Sequence, residues 1–178
     1  MTTIITHPAL AVATGIGLRN VVSTRLMICG VVGSILPDLD VVAFRLGIAY
    51  GSEFGHRGFS HSLLFALGAA LLGACLCRWL KARFGWALLY LFASVASHGI
   101  LDAFTDGGMG VALLWPFDQT RYFAPFHPIE VSPLGLSRFL GPRGIAVLKS
   151  ELLWVWLPAL GVCLALLAAR RLDRRHRV

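Results

Sequence analysis

The sequence predicts an all-α, polytopic membrane bundle of about five helical segments, with a long irregular loop after the fourth. Composition is the first sign: 57% of the 178 residues are hydrophobic and only 14% are charged, against roughly a quarter charged in an average soluble domain. Apolar run length is the second, since three stretches approach the ~20 residues a helix needs to cross ~30 Å of hydrocarbon. The third is charge placement. Basic residues gather between and after the apolar runs, at Arg78, Lys81 and Arg83 and again at Arg170, Arg171, Arg174, Arg175 and Arg177, as the positive-inside rule requires.

The strongest spans run from Ser62 to Leu80, Trp86 to Phe104 and Leu152 to Ala169. Two earlier segments, Pro8 to Leu18 and Leu26 to Phe44, are shorter or interrupted by polar residues and read as partial or tilted spans. Thr6 ahead of Pro8 reads as a helix-capping residue. Pro37 should kink or break the second segment, and the glycines between Gly51 and Ser60 mark a loop feeding the third. Residues 106–150, with Gly and Pro throughout, read as an irregular lid or cap. Nothing divides the chain, so residues 1–178 are expected to form one domain.

Net charge is +7 and the sequence pI is near 9.9. In a soluble protein that would raise nucleic acid as a partner, but the basic clusters here follow helix ends, so the bilayer is the expected partner and nucleic acid is not. The four cysteines lie in or beside apolar runs and form no disulfide framework. Met1 to Thr6 lacks Lys and Arg, so the first segment is expected to persist and not to be cleaved as a signal. With the basic tail placed in the cytoplasm, Arg19, Arg25, Arg78, Lys81, Arg83 and the C-terminal arginines fall on one side, for ten of the sixteen Lys and Arg residues.

Counting helical rise from that side at ~1.5 Å per residue lifts His7, Asp38, His61 and His98 to similar heights of roughly 18 to 26 Å. Four separate segments thus deliver imidazole or carboxylate to one layer, placed toward the outer face. The candidate ligands are His7, Asp38, Asp40, His56, His61, His98 and Asp102. Ionisable groups at membrane depth are costly and tend to be functional. His98 and Asp102 are four apart and share a helix face. Asp38 and Asp40 can both turn inward only if the backbone after Pro37 departs from regular α-helix.

Mixed imidazole and carboxylate ligation suits a divalent metal, with Zn first and Mn or Fe next, and seven groups are enough for one ion or two. Arg57, beside His56, is the expected stabiliser of an anionic transition state, and Asp40 is expected to serve both as ligand and in catalysis. Ser60, Ser62, Ser97 and Thr105 read as capping or backbone-bonding residues. His127 and His176 read as packing residues, and Glu53, Asp118 and Glu130 as solvated loop carboxylates. Asp106 divides evenly between a ligand-supporting role and a helix-end loop. The Trp115-Pro116-Phe117 run and Trp154/Trp156 read as interface anchors.

These motifs, His7, Pro37-Asp38-Leu39-Asp40, His56-Arg57-Gly58-Phe59-Ser60-His61-Ser62, and His98-Gly99-Ile100-Leu101-Asp102 with Thr105, resemble the YdjM-like family of LexA-regulated, inner-membrane-associated proteins described as metal-dependent hydrolases. The likeness covers roughly the first 110 residues and the Trp-Pro-Phe segment. It implies a multi-pass inner-membrane protein whose His and Asp residues bind metal and hydrolyse a substrate. The order of ligands is more loosely similar to zinc-dependent phospholipase C enzymes, which implies a phosphoester of a lipid or lipid-linked substrate. The competing expectation is a metal-ion transporter or sensor using the same ligands.

Overall fold

The structure is a computed structural model that describes residues 1–133 and 139–176. Arg138 and Arg177, and the side chains of Arg174, Arg175 and His176, lie outside the described residues. Helices account for the regular structure: α1 (Ala9–Gly17), α2 (Thr24–Gly33), α3 (Val42–Arg45), α4 (Leu63–Ala74), α5 (Phe84–Ala103), α6 (Pro142–Glu151) and α7 (Leu157–His176). Among the described residues there is no β-strand, only isolated bridges pairing Thr105 with Ile129 and Val111 with Tyr122. Grouped into runs, these helices give the five expected segments.

The segments differ in detail from the reading of hydropathy. Leu26 to Phe44, expected as a partial span, belongs to a 22-residue helical run from Thr24 to Arg45 that is long and apolar enough to cross a membrane. A 3-10 turn at Leu36–Val41 replaces a clean break, because Pro37 sits in its first positions, where its missing N–H costs nothing. Ser62 to Leu80, expected as a full span, holds only 12 residues of α-helix, about 18 Å of rise, before passing into hydrogen-bonded turns. The long loop is also shorter than expected. Gly141 and Pro142 start α6 inside it, and a π-helical turn at Leu152–Trp156 joins α6 to α7 in one continuous run. Alanine, valine and leucine after a proline at the first turn make residues 142–151 helical despite their polar neighbours.

Small residues allow the helices to approach closely, as in membrane bundles. Ala70 and Ala74 of α4 and Ala87 and Leu91 of α5 pack with Leu26 of α2 and with Leu80. Ala9 and Ala13 of α1 meet Ala159 and Cys163 of α7 together with Val155. The basic helix ends converge at one end of the bundle. Arg25 donates to the Trp79 carbonyl at 2.9 Å and lies over its indole ring, and Arg170 donates to the Gly17 carbonyl at 3.1 Å. Leu153, Leu157, Leu160 and Leu164 of the last helical run stay exposed, a face suited to lipid tails.

Candidate metal centre

At the opposite end, four segments bring their polar side chains into one buried cluster. His7 precedes α1; Asp38 and Asp40 sit on the 3-10 turn; His56 and His61 flank the loop before α4; His98 and Asp102 share a face of α5. The 3-10 turn explains how both aspartates face inward. With three residues per turn, positions two apart lie about 120° from one another, not on nearly opposite sides as on an α-helix. Gly99 lets the loop reach α5: a Cβ there would lie 2.5 Å from the His61 carbonyl oxygen. Arg57 has φ 63°, a left-handed conformation that is uncommon outside glycine and turns its side chain into the interior.

His7, Arg57, His98 and Asp102 have no exposed surface, and Asp38, His56 and His61 have 4% or less. Two sets of donors lie within coordinating reach: His7, Asp38, His98 and Asp102 form one, and Asp38, His56, His61 and Asp102 form the other. Asp38 and Asp102 belong to both. Six of the seven ligands expected from the sequence therefore converge.

Asp40 stands behind the cluster. Its Oδ1 lies 2.6 Å from His56 Nδ1 and its Oδ2 lies 3.2 Å from His61 Nδ1. It also accepts from Ser60 Oγ at 2.6 Å and from the Arg57 backbone N–H. Among the described residues Asp40 enters neither donor set, so its geometry is that of a carboxylate fixing two imidazoles by their far nitrogens, a frequent partner of ligating histidines. Ser60, expected to cap or bond backbone, is one of its supports; Ser62 does cap α4 through Phe65 N–H.

Arg57 also departs from expectation. Its Nε donates to Asp102 Oδ2 at 3.1 Å, Nη1 to the Gly107 carbonyl at 2.8 Å and Nη2 to Thr105 Oγ1 at 2.9 Å. Each nitrogen is held by the protein and the side chain is fully buried, so it neutralises and orients Asp102 and presents no free face to an anionic transition state. The sequence shows the basic residue but not the carbonyl that captures it.

The hydrogen-bond pattern shows what the cluster lacks. His98 Nδ1 lies 2.7 Å from the Ser34 carbonyl oxygen, which can only accept, so Nδ1 carries the proton and Nε2 presents a lone pair. His61 Nδ1 faces the Asp40 carboxylate, and its Nε2 lies 3.1 Å from that of His98. Among the described residues, buried Asp38 has no hydrogen-bond donor on either oxygen. Its oxygens lie 3.4 Å from His98 Nε2 and 3.6 Å from His7 Nε2. Three carboxylates face the Arg57 guanidinium and the buried Met1 amine, which leaves a net negative charge if the imidazoles are neutral. Unpaired buried charge is costly, and a bound cation would offset it.

Donor spacing is close to what a cation needs. Ligands ~2.0 to 2.1 Å from a tetrahedral ion lie about 3.3 Å from one another, and within the two donor sets the His98–Asp38, His61–Asp102, His7–Asp38 and His7–Asp102 separations run from 3.4 to 3.8 Å. Burial lowers the His61 pKa, but hydrogen bonds to Asp102 and Asp40 outweigh it and hold the ring above its ordinary value. A proton on His61 would relieve its contact with His98, yet both Asp38 oxygens would remain without a donor. His7, stacked on His98 with ring centroids 3.5 Å apart, is held well below its ordinary pKa by burial and by that neighbour. It stays neutral, as a ligand must.

Sequence reasoning missed the inner layer around these groups. Thr2 donates its N–H to Asp102 Oδ1 at 2.9 Å, and its hydroxyl lies 2.7 Å from His7 Nε2. Thr6 caps nothing; its hydroxyl donates to Glu151 at 2.8 Å, and Pro8 occupies the α1 cap position. Glu151 is buried at 1% exposure, and only its place within an apolar run could have drawn notice. The remaining loop carboxylates are paired locally: Glu53 with Trp115 and Gln119, Asp118 with Thr120 and Tyr122, and Asp106 and Glu130 with Arg143. His127 packs edge-on against Phe123.

Fold and site together define a membrane helical bundle with a buried His/Asp cluster able to hold a metal ion at one end. The model of the YdjM inner membrane protein family matches residues 1–176. The chain belongs to that family. It is 46% identical over 162 residues to inner membrane protein YbcI of Escherichia coli K12, covering 90% of this chain and 94% of that protein. It is 35% identical over 111 residues to inner membrane protein YdjM of the same organism, 54% of this chain and 50% of that one. Uncharacterized protein YvsG of Bacillus subtilis is 34% identical over 94 residues, 49% of this chain and 54% of its own length. No solved structure matches significantly.

Proposed function

We propose that the chain is a metal-dependent hydrolase of the inner membrane, acting at the outer side on a phosphoester or related bond of a lipid or lipid-linked substrate. The observation that carries this reading is Asp38, a buried carboxylate that has no donor on either oxygen among the described residues and faces two imidazole nitrogens. His7, His56, His61, His98, Asp38 and Asp102 would hold one ion or two, with Zn the first candidate and Mn or Fe next. A bound divalent ion supplies Lewis acidity and lowers the pKa of water to near neutrality.

The chain's own residues supply orientation. Asp40 fixes His56 and His61, Ser60 fixes Asp40, and Arg57 fixes Asp102. Exposed aromatic residues at the loop end, Phe54, Phe117 and Phe126, support work at the lipid interface. The basic helix ends meet at the other end of the bundle, which supports a cytoplasmic basic face and an outward-facing site.

The test is turnover of phospholipid and lipid-pyrophosphate substrates by detergent-purified, Zn-loaded protein. Asp38→Ala and His98→Ala should each reduce hydrolysis to background, and equal turnover in wild type and both variants would end the proposal. Near-complete burial of every donor favours a second reading, a metal-ion transporter or sensor with no chemistry. Metal uptake into proteoliposomes that disappears with His61→Ala, without hydrolysis by the wild type, would select it.

A further inference from the structure

We propose that Glu151, outside either donor set, is a positioning residue for the metal centre, acting through the segment that carries Thr2 and His7. The inference rests on the reading of the His/Asp cluster as a metal site. Glu151 lies where α6 enters the π-helical turn. Its carboxylate accepts from the Thr3 backbone N–H, from Thr3 Oγ1 at 2.6 Å and from Thr6 Oγ1 at 2.8 Å. The indole N–H of Trp156, at the end of that turn, donates to Thr6 Oγ1 at 3.0 Å. An isolated buried carboxylate is strongly unfavourable, and donors from one short segment make this one tolerable.

Adjacent residues of that segment face opposite ways. Thr3 and Thr6 bond Glu151, whereas Thr2 and His7 meet the centre, Thr2 through Asp102 and His7 through its place in the donor set. A segment held by Glu151 on one side therefore presents a ligand, and a donor to a second ligand, on the other. The last helical run, which contributes no ligand among the described residues, thereby sets the geometry of the site.

Co²⁺ titration of the full chain in detergent tests this, because the visible absorption of the ion reports its ligand set as well as its affinity. Glu151→Ala should weaken Co²⁺ binding about 10- to 100-fold, the range for residues that orient metal ligands, and alter the absorption bands. Glu151→Gln, which keeps the shape and one acceptor oxygen, should recover part of the loss. Leu26→Ala, in the apolar cluster at the other end of the bundle, is the control: at a similar loss of thermal stability it should leave affinity and spectrum unchanged. Wild-type affinity and spectrum in Glu151→Ala would overturn the proposal, as would a weakening matched by Leu26→Ala. If Glu151→Ala does not fold, Thr6→Val decides in its place, with several-fold weaker binding supporting the proposal and unchanged binding overturning it. No Co²⁺ binding by the wild type would instead overturn the metal reading itself.

Discussion

Helices α5 and α7 are each 20 residues long, yet they do opposite work. The most apolar part of α5 is 50% buried, whereas that of the run from Pro142 to Asp173 is 17% buried. α5 turns His98 and Asp102 into the cluster and packs against α2 and α4; α7 shows leucines to the surroundings and meets the bundle mainly through α1. Length and hydropathy alone do not separate a site-bearing helix from an anchoring one. What separates them is a fully buried His/Asp pair one helical turn apart, His98 and Asp102, with partners from other segments.

Substitutions should divide along the same line. Asp102→Asn would leave the buried Arg57 guanidinium without its charge partner, and a broken buried pair costs about 3 to 5 kcal/mol. Leu160→Ala on the exposed face of α7 should change stability by less than about 0.5 kcal/mol. Reversible unfolding in mixed micelles would measure both, and equal effects would erase the distinction between the two helices. Next in size, Gly99→Ala pushes a methyl group against the His61 carbonyl. It should cost about 1 to 3 kcal/mol as an overpacked contact and weaken Zn²⁺ binding. Unchanged binding would show that the approach of the loop to α5 does not set the donors.

Asp40→Asn should weaken metal binding about 10- to 100-fold while leaving the helices intact, because it frees His56 and His61 to rotate. Isothermal titration with Zn²⁺ would measure it, and complete loss of binding would instead mark Asp40 as a ligand. The pH dependence follows from His61. Its folded pKa is raised, so an incoming metal ion must displace a proton below that value. Affinity should then fall by about tenfold per pH unit on acidification through that region and level off above it, with proton release measurable in weakly buffered solution. His7, already neutral, should add nothing near neutral pH. Affinity independent of pH would contradict ligation by His61.

The bundle and most of the cluster were legible in the sequence because both rest on local signals: apolar runs of span length, basic helix ends, and His or Asp residues at matching heights. The 3-10 turn was foreshadowed by Pro37 with two aspartates that had to face the same way. Three features were not legible. The roles of Arg57 and Asp40 depend on which atoms sit opposite them, and the Gly107 carbonyl or the far nitrogen of His61 leaves no mark in residue spacing. The start of α6 was hidden because Gly and Pro signal loops and helix beginnings alike. Glu151 meets Thr3 across 148 positions of sequence, and no local pattern reports so distant a contact.

The central claim is that Asp38 and Asp102, shared by the two donor sets that contain His98 and His61, are metal ligands, and elemental analysis of the purified full chain tests it most directly. The wild type should retain at least one divalent ion per chain through extensive dialysis, and Asp38→Asn should retain none while keeping its helical circular dichroism. A metal-free wild type that still binds no Zn²⁺ on titration, or an Asp38→Asn variant with the full complement, would contradict the account.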